Sequence, residues 1–372
     1  MRRLKLLAIL LLSALLPACA VSGEVENQAY ALVLGVEEPA GGGISLTIRI
    51  PRIGASGGDE GKSGTEPYLV ISAEGENYPQ ALEHLQWAVA RELNLSHLKL
   101  VVVSRELAES EAFPALIRAI AETRHLYTTA GFVVCEGSAG DFVRQQETIL
   151  GTRLSSEITA MFRHYARHGY IARATLADLY YATLSGLSDP TGIWGALDGD
   201  EAPAAALIED HSDNMKARTQ TASARQYLGA AVFRDGRMAA RLDARDTLYL
   251  NLLTARIDSF SYAFGGRDYT LSCVRRPRRR VRLTDGEPSL EAELWLTCED
   301  DAYREELDAL SADVARTLED MIRRCQAMNI EPFGFADCAA AHFLTNEQWR
   351  RFNWRRRYPD APVQVRVHIT KS

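Results

Sequence analysis

Two short runs, Leu98–Val103 and Thr129–Cys135, constrain this chain more than anything else in it. Both read as strands of the fully buried kind, apolar toward either face of a sheet. Ala112–Glu122 lies between them with helical spacing, and Tyr78–Leu93 precedes them with Leu82, Leu85 and Val89 along one face. Doubly buried strands separated by helices belong to βαβ units, and so to a partly parallel sheet covered by helices. Ala29–Val36 and Ile44–Ile50, joined through Gly41-Gly42-Gly43, add two strands, and Tyr68–Ser72 a third. Asp141–Gln146, Glu157–His168 and Thr175–Leu184 continue as helices.

The second half has a different period. Tyr227–Phe233 and Met238–Leu242 flank Arg234-Asp235-Gly236-Arg237, and an Asp-Gly between apolar runs predicts a hairpin with a type I′ turn. Leu290, Ala292, Leu294, Leu296 and Cys298 alternate with Glu291, Glu293, Trp295 and Thr297, a half-buried strand. Val363, Val365, Val367 and Ile369 alternate in the same way. Asp301–Met328 is the longest helix, with Leu307, Leu310, Val314, Leu318, Met321, Ile322 and Cys325 in one stripe. Asp198–Thr221, acidic and alanine-rich, has the composition of a linker. The expected fold is therefore α/β followed by α+β. Residues 19–197 form an N-terminal mixed sheet with βαβ units and helices, in one or two subdomains, and 198–221 form the linker. Residues 222–372 form a C-terminal antiparallel sheet covered by the long helix. At 372 residues, 47% hydrophobic and 24% charged, the chain has ordinary globular composition and length for two or three domains.

The N-terminus reads as an address. Arg2, Arg3 and Lys5 precede the apolar stretch Leu6–Leu16, then Pro17-Ala18-Cys19. Eleven residues at about 1.5 Å each cannot cross a hydrocarbon core of roughly 30 Å, so residues 1–18 have the form of a signal peptide. A small residue directly before Cys is what lipoprotein processing accepts, which makes Cys19 the expected lipidated N-terminus. An ordinary secretory signal with an incidental Cys19 is the bland alternative. Without those 18 residues the chain has 39 basic and 49 acidic side chains. An acidic body argues against nucleic-acid binding. The charge is uneven: residues 20–226 carry 16 basic and 27 acidic groups, and 227–372 carry 23 and 22.

Motifs that would mark an enzyme do not hold together. Gly61-Lys62-Ser63 lacks the earlier Gly of a phosphate loop, where Ser56 stands, and Asp59 and Glu60 would repel phosphate. His164 and His168 have a metal-compatible helical spacing but no identifiable third ligand. Ser155 and Ser156 lie outside any nucleophile-elbow pattern. Cys135, Cys273, Cys298, Cys325 and Cys338 contain no C-x-x-C, and Cys298 and Cys325 occupy core-periodic positions. No catalytic residue, metal or cofactor is expected.

Two basic clusters remain. Arg275, Arg276, Arg278, Arg279, Arg280 and Arg282 fall within eight residues, and Arg355, Arg356 and Arg357 close a second run with aromatics interleaved. For an exported protein such clusters read either as a lipid or partner surface or as solvated turns.

Several stretches resemble the Ger(x)C family, the lipoprotein C subunits of spore germinant receptors. Glu24-Val25 and Ala29-Tyr30-Ala31-Leu32-Val33-Leu34-Gly35-Val36 are similar to the family's first strand. Ser72-Ala73-Glu74-Gly75, then Ser96-His97-Leu98-Lys99 entering Leu100–Val103, resemble its next motifs, with Ala119 and Arg124 following. Ala230–Arg237, Leu242 and Asp246-Thr247 resemble its hairpin and helix start. The tail Phe333-Gly334-Phe335, Trp349, Trp354, Tyr358-Pro359-Asp360-Ala361 and Val363–Ile369 is the most specific stretch. Ala20-Val21 and Ser96 depart from the family pattern, as does Asp246 for the usual Glu. The resemblance implies a non-enzymatic receptor component on the extracytoplasmic side of the spore inner membrane. It would be lipid-anchored and work beside a germinant receptor A subunit and a transporter-like B subunit in nutrient-triggered germination. The alternative from another class is an exported lipid-anchored solute-binding protein, with a ligand cleft between paired domains.

Overall fold

The computed structural model describes residues 27–52, 68–146, 153–197 and 225–372. The signal segment, Cys19, the 54–65 loop and the 198–221 linker fall outside the described residues. The first half contributes strands β1 (Gln28–Tyr30), β2 (Val33–Glu37), β3 (Ile44–Pro51), β4 (Tyr68–Gly75), β5 (Glu92–Asn94), β6 (Leu100–Ser104), β7 (Gly131–Cys135) and β8 (Thr191–Leu197). Its helices are α1 (Tyr78–Ala88), α2 (Arg105–Glu109), α3 (Phe113–Ala121), α4 (Ala139–Arg144), α5 (Leu154–His168) and α6 (Leu176–Ser185). The second half begins with β9 (Arg225–Arg234), β10 (Arg237–Asp243) and α7 (Ala244–Thr254). Then come β11 (Phe260–Phe264), β12 (Arg267–Cys273), β13 (Arg278–Thr284), β14 (Glu287–Cys298) and α8 (Arg304–Ala327). Short helices α9 (Phe335–Ala340), α10 (Asn346–Phe352) and α11 (Trp354–Arg357) lead to β15 (Val363–Lys371).

An eight-stranded sheet runs β10-β9-β8-β7-β6-β2-β3-β4. Its four central strands are mutually parallel, joined by helical crossovers, and antiparallel hairpin strands close both edges. One face packs Leu34, Leu46, Val101, Phe132 and Trp194 against α1, α3 and α6. The other packs Val33, Leu100, Val133 and Ile193 against α4, α5 and α7. That second core continues without interruption into the C-terminal sheet and the α8 stripe, whose seven expected members are all buried.

Four expectations change. The apolar run 29–36 splits, because Ala31 donates to Asn94 O at 3.0 Å while Leu32 donates to Arg49 O at 2.9 Å. β1 thus joins β5, and β2 joins the large sheet. The helix expected to reach Leu93 ends at Ala88. Gln86 accepts from Leu93 N at 2.7 Å and donates to Arg91 O at 2.9 Å, bonds that draw the chain off the helix.

The hairpin expected to open the C-terminal domain instead completes the N-terminal sheet, with β9 alongside β8. Its turn has the expected conformation, Asp235 at φ 52° and Gly236 at φ 79°. The reason it stays is a buried charge cluster. Arg241, fully buried, bonds Glu136 at the end of β7, and Trp194 Nε1 of β8 donates to the same carboxylate at 3.2 Å. Arg105 Nε approaches the other oxygen at 3.0 Å. The Arg241 guanidinium also lies over the Trp194 ring, 4.7 Å from its centre.

The C-terminal sheet, β11-β12-β14-β13 with β15 beside β14, is antiparallel except for its last pair. β15 runs parallel to β14, Leu290 opposite Val363 through Cys298 opposite Lys371. The connection between them includes the 24-residue α8, long enough for a crossover, which a parallel neighbour requires.

Candidate interaction surface

Most of the first arginine cluster is strand, and the second closes on a short helix. Arg278–Thr284 is strand β13, hairpinned to β14 through Asp285 at φ 53° and Gly286 at φ 82°. This is the same Asp-Gly signal that marks the 235–236 turn, and the sequence alone could have revealed it. Strand geometry then sorts neighbours to opposite faces. Arg278, Arg280 and Arg282 point outward and are exposed. Val281 is buried, and Arg279 points inward, donating to Phe333 O. Gly334 makes room for it: at φ 77°, a Cβ there would stand 2.8 Å from Arg279 Nη1. The strand's outer edge is closed by His342 Nε2 on Val281 O at 2.8 Å and by Cys338 Sγ on Arg279 O at 3.7 Å.

Across the outward face, β14 sets Glu293 opposite Arg278 and Glu291 opposite Arg280, and β15 sets Arg366 opposite Glu293. Arg282 Nε pairs with Glu291 at 2.8 Å and His368 Nε2 with Glu293 at 3.1 Å. Arg275, in the exposed loop before β13, lies over Trp295 with its Cζ 3.4 Å from the ring centre, and His368 stacks beside the same ring at 5.8 Å. Arg276 is exposed in that loop too. The groove between the strands is shallow, about 40 Å³.

The second cluster divides by duty. Arg355 reaches across to the N-terminal sheet and forms a two-bond ion pair with Asp189, whose side chain is 1% exposed. Arg357 bonds Phe352 O at 2.9 Å, Gly286 O at 3.1 Å and the Glu287 carboxylate. Arg356 is exposed. The run is thus not a uniform basic surface, because folding draws two of its three arginines into contacts with the rest of the chain.

Asp189 belongs to a further buried arrangement that no sequence pattern marks. Its amide donates to Glu331 O at 3.1 Å, and Glu331 N donates back to Asp189 Oδ2 at 2.7 Å. The Glu331 carboxylate accepts from Phe333 N at 3.1 Å, Phe335 N at 2.9 Å and Ala336 N at 3.0 Å, capping the turn into α9. Burial pushes its carboxyl up to about 8 against the pull of those amides, with repulsion from Asp189 adding to the rise. Elsewhere His164 and His168 stand on α5 with rings 4.6 Å apart. Among the described residues no three His, Cys, Asp or Glu side chains converge as a metal site. A separate open depression of about 600 Å³ lies at the N-terminal ends of β6 and β7, between Lys99, Gly131, Phe162 and Tyr165.

Comparison of both halves with known families makes this a spore germination protein of the GerC type. Residues 22–191 match the spore germination protein N-terminal domain, and residues 228–370 match the spore germination B3/GerAC-like C-terminal domain. The chain belongs to the Ger(x)C family. A curated relative, spore germination protein KC of Bacillus subtilis (strain 168), is 22% identical over 393 residues, covering 98% of this chain and 94% of the relative. The crystal structure of the GerBC protein shares the fold, with a TM-score of 0.51 at 10% identity over 91% of this chain and 96% of that one. The family boundary at 228 falls inside β9, so the sequence families divide the chain where the sheet does not.

Proposed function

We propose that this chain is the lipid-anchored, non-enzymatic C subunit of a spore nutrient germinant receptor. It is held at the spore inner membrane through a diacylglycerol on Cys19, beside the receptor A subunit and the transporter-like B subunit. The observation that carries the reading is the match of both halves to spore germination families, joined to the signal-like segment that ends at Cys19. A non-catalytic role is supported by how the buried carboxylates are used. Glu136, Asp189 and Asp246 each pair with an arginine, and Glu331 accepts backbone amides. The solute-binding alternative needs two bodies facing across a cleft, whereas the described halves share one continuous core.

Labelling cells with a palmitate analogue and fractionating their membranes tests the reading. Wild type should be labelled and membrane-bound. Cys19→Ala should lose both properties, since each buried acyl CH₂ contributes about 0.8 kcal/mol to anchoring. Unlabelled wild type would overturn the anchor. Spores lacking the chain that respond normally to every nutrient would overturn the receptor role.

A further inference from the structure

We propose that the outward face of β13, β14 and β15 is a docking surface for anionic phospholipid headgroups, which fixes how the tethered body lies on the bilayer. The observation is a field of guanidinium groups on one face of the sheet. Arg278, Arg280 and Arg282 are spaced two residues apart, roughly 6.6 Å per step, and Arg366 stands two strands away in the Arg278 row, about 9.6 Å across. The glutamates on this face do not reverse its sign. Arg278, Arg280, Arg282 and Arg366 stand against Glu291 and Glu293 alone around the groove, so positive charge sets the field.

The shape favours a surface over a peptide. The groove of about 40 Å³ gives an acidic segment no channel to lie in, while cations spread over one sheet face suit a layer of phosphates. Trp295 sits at the end of the array with Arg275 over its ring, an amphipathic aromatic beside cations, as is common at the membrane–water boundary. The proposed tether is short. Seven residues lie between Cys19 and Asn27, the first described residue, and the eight steps span at most about 28 Å, which keeps the body near the bilayer. This delivery to the bilayer rests on the Cys19 anchor proposed above, but the test does not.

The chain beginning at Ala20 keeps every described element and carries no lipid. It should sediment with phosphatidylglycerol-containing vesicles and not with pure phosphatidylcholine, and it should release as salt rises from about 0.15 M to 1 M. Arg278→Gln, Arg280→Gln and Arg282→Gln together should weaken binding on the order of a hundredfold, about fivefold for each arginine. The same three positions as Lys should retain most of it. Arg304→Gln, Arg316→Gln and Arg323→Gln on α8 match the charge change away from this face and should leave binding little altered. Hydrogen exchange of the unmutated chain on the vesicles provides a readout independent of variant folding, with protection expected at 278–284 and 364–368. Equal binding to neutral vesicles, equal loss in the α8 variant, or protection confined to other strands would each overturn the proposal. So would binding of poly-glutamate at this face without vesicle binding, which would assign it to an acidic protein. Palmitate label without vesicle binding sinks the face and spares the anchor. Vesicle binding without label does the reverse.

Discussion

Arg355 and Asp189 lie 166 residues apart and meet in a two-bond ion pair, with Nη1 donating to Oδ2 at 2.7 Å and Nη2 to Oδ1. Asp189 stands two residues before β8, the last parallel strand of the large sheet, and Arg355 lies in the short helix before the final strand. The pair therefore fastens the C-terminal tail to the N-terminal sheet, with Glu331 as the third member through its backbone.

Breaking that fastening should cost more from the arginine side. Arg355→Ala leaves the buried Asp189 carboxylate without its cation and should lower stability by about 2 kcal/mol, less than for a fully buried pair because Arg355 is 30% exposed. Asp189→Asn keeps an acceptor for Glu331 N and should cost less. Urea midpoints for the two singles and the double measure the coupling. An Arg355→Ala midpoint within error of wild type would sink the claim.

Arg241 should be among the most sensitive positions in the chain. Arg241→Ala takes from Glu136 its fully buried cation, leaving the partly exposed Arg105 on the other oxygen, and should destabilise by about 3 kcal/mol. Arg241→Met with Glu136→Gln should recover part of that loss, because no unpaired charge remains. Thermal unfolding separates the cases, and a double variant worse than the single would contradict the account.

Glu331 should make stability fall as pH rises. Its folded value is about 8 against an ordinary 4.5, so the folded state holds a proton that the unfolded chain has released between those values. The contribution is fully present below about 4.5 and is lost as pH climbs through about 8, with a slope of up to about 1.4 kcal/mol per pH unit for one proton. Glu331→Gln should flatten this part of the profile. A variant whose denaturant midpoint keeps the wild-type slope from pH 5 to pH 8 would show that another group is responsible.

Neighbouring arginines on β13 should behave oppositely. Arg279→Ala removes the donor to Phe333 O and should cost about 1–2 kcal/mol. Arg280→Ala, outward and exposed, should stay within about 0.5 kcal/mol. Equal effects would mean that the strand register is wrong.

Much of the architecture was legible because burial leaves a local period. The α8 stripe and the alternation on β14 encode which face points inward, the unbroken apolar runs of β6 and β7 encode burial on both faces, and the structure buries them accordingly. The Asp235-Gly236 turn was legible too, since few other residues accept two successive positive φ angles. Cys298 and Cys325 lie in the core at their periodic positions.

What the period does not encode is the partner. The β9–β10 hairpin is apolar enough to join either sheet, and Arg241 finding Glu136, 105 residues earlier in the chain, ties it to the first. The β15 pattern is the same whether the strand runs parallel or antiparallel to β14, and the path through α8 decides the direction. That the first arginine run is a strand was not legible, because Val281 and Leu283 alone are too few to show a period, and pairing with β14 makes the strand. Asp189 and Glu331 carry no local signal, and Arg355 shows only as one member of a basic run. Their roles arise only when distant segments exclude water from them, because a charge becomes structural through the partner that desolvates it and not through its neighbours in sequence.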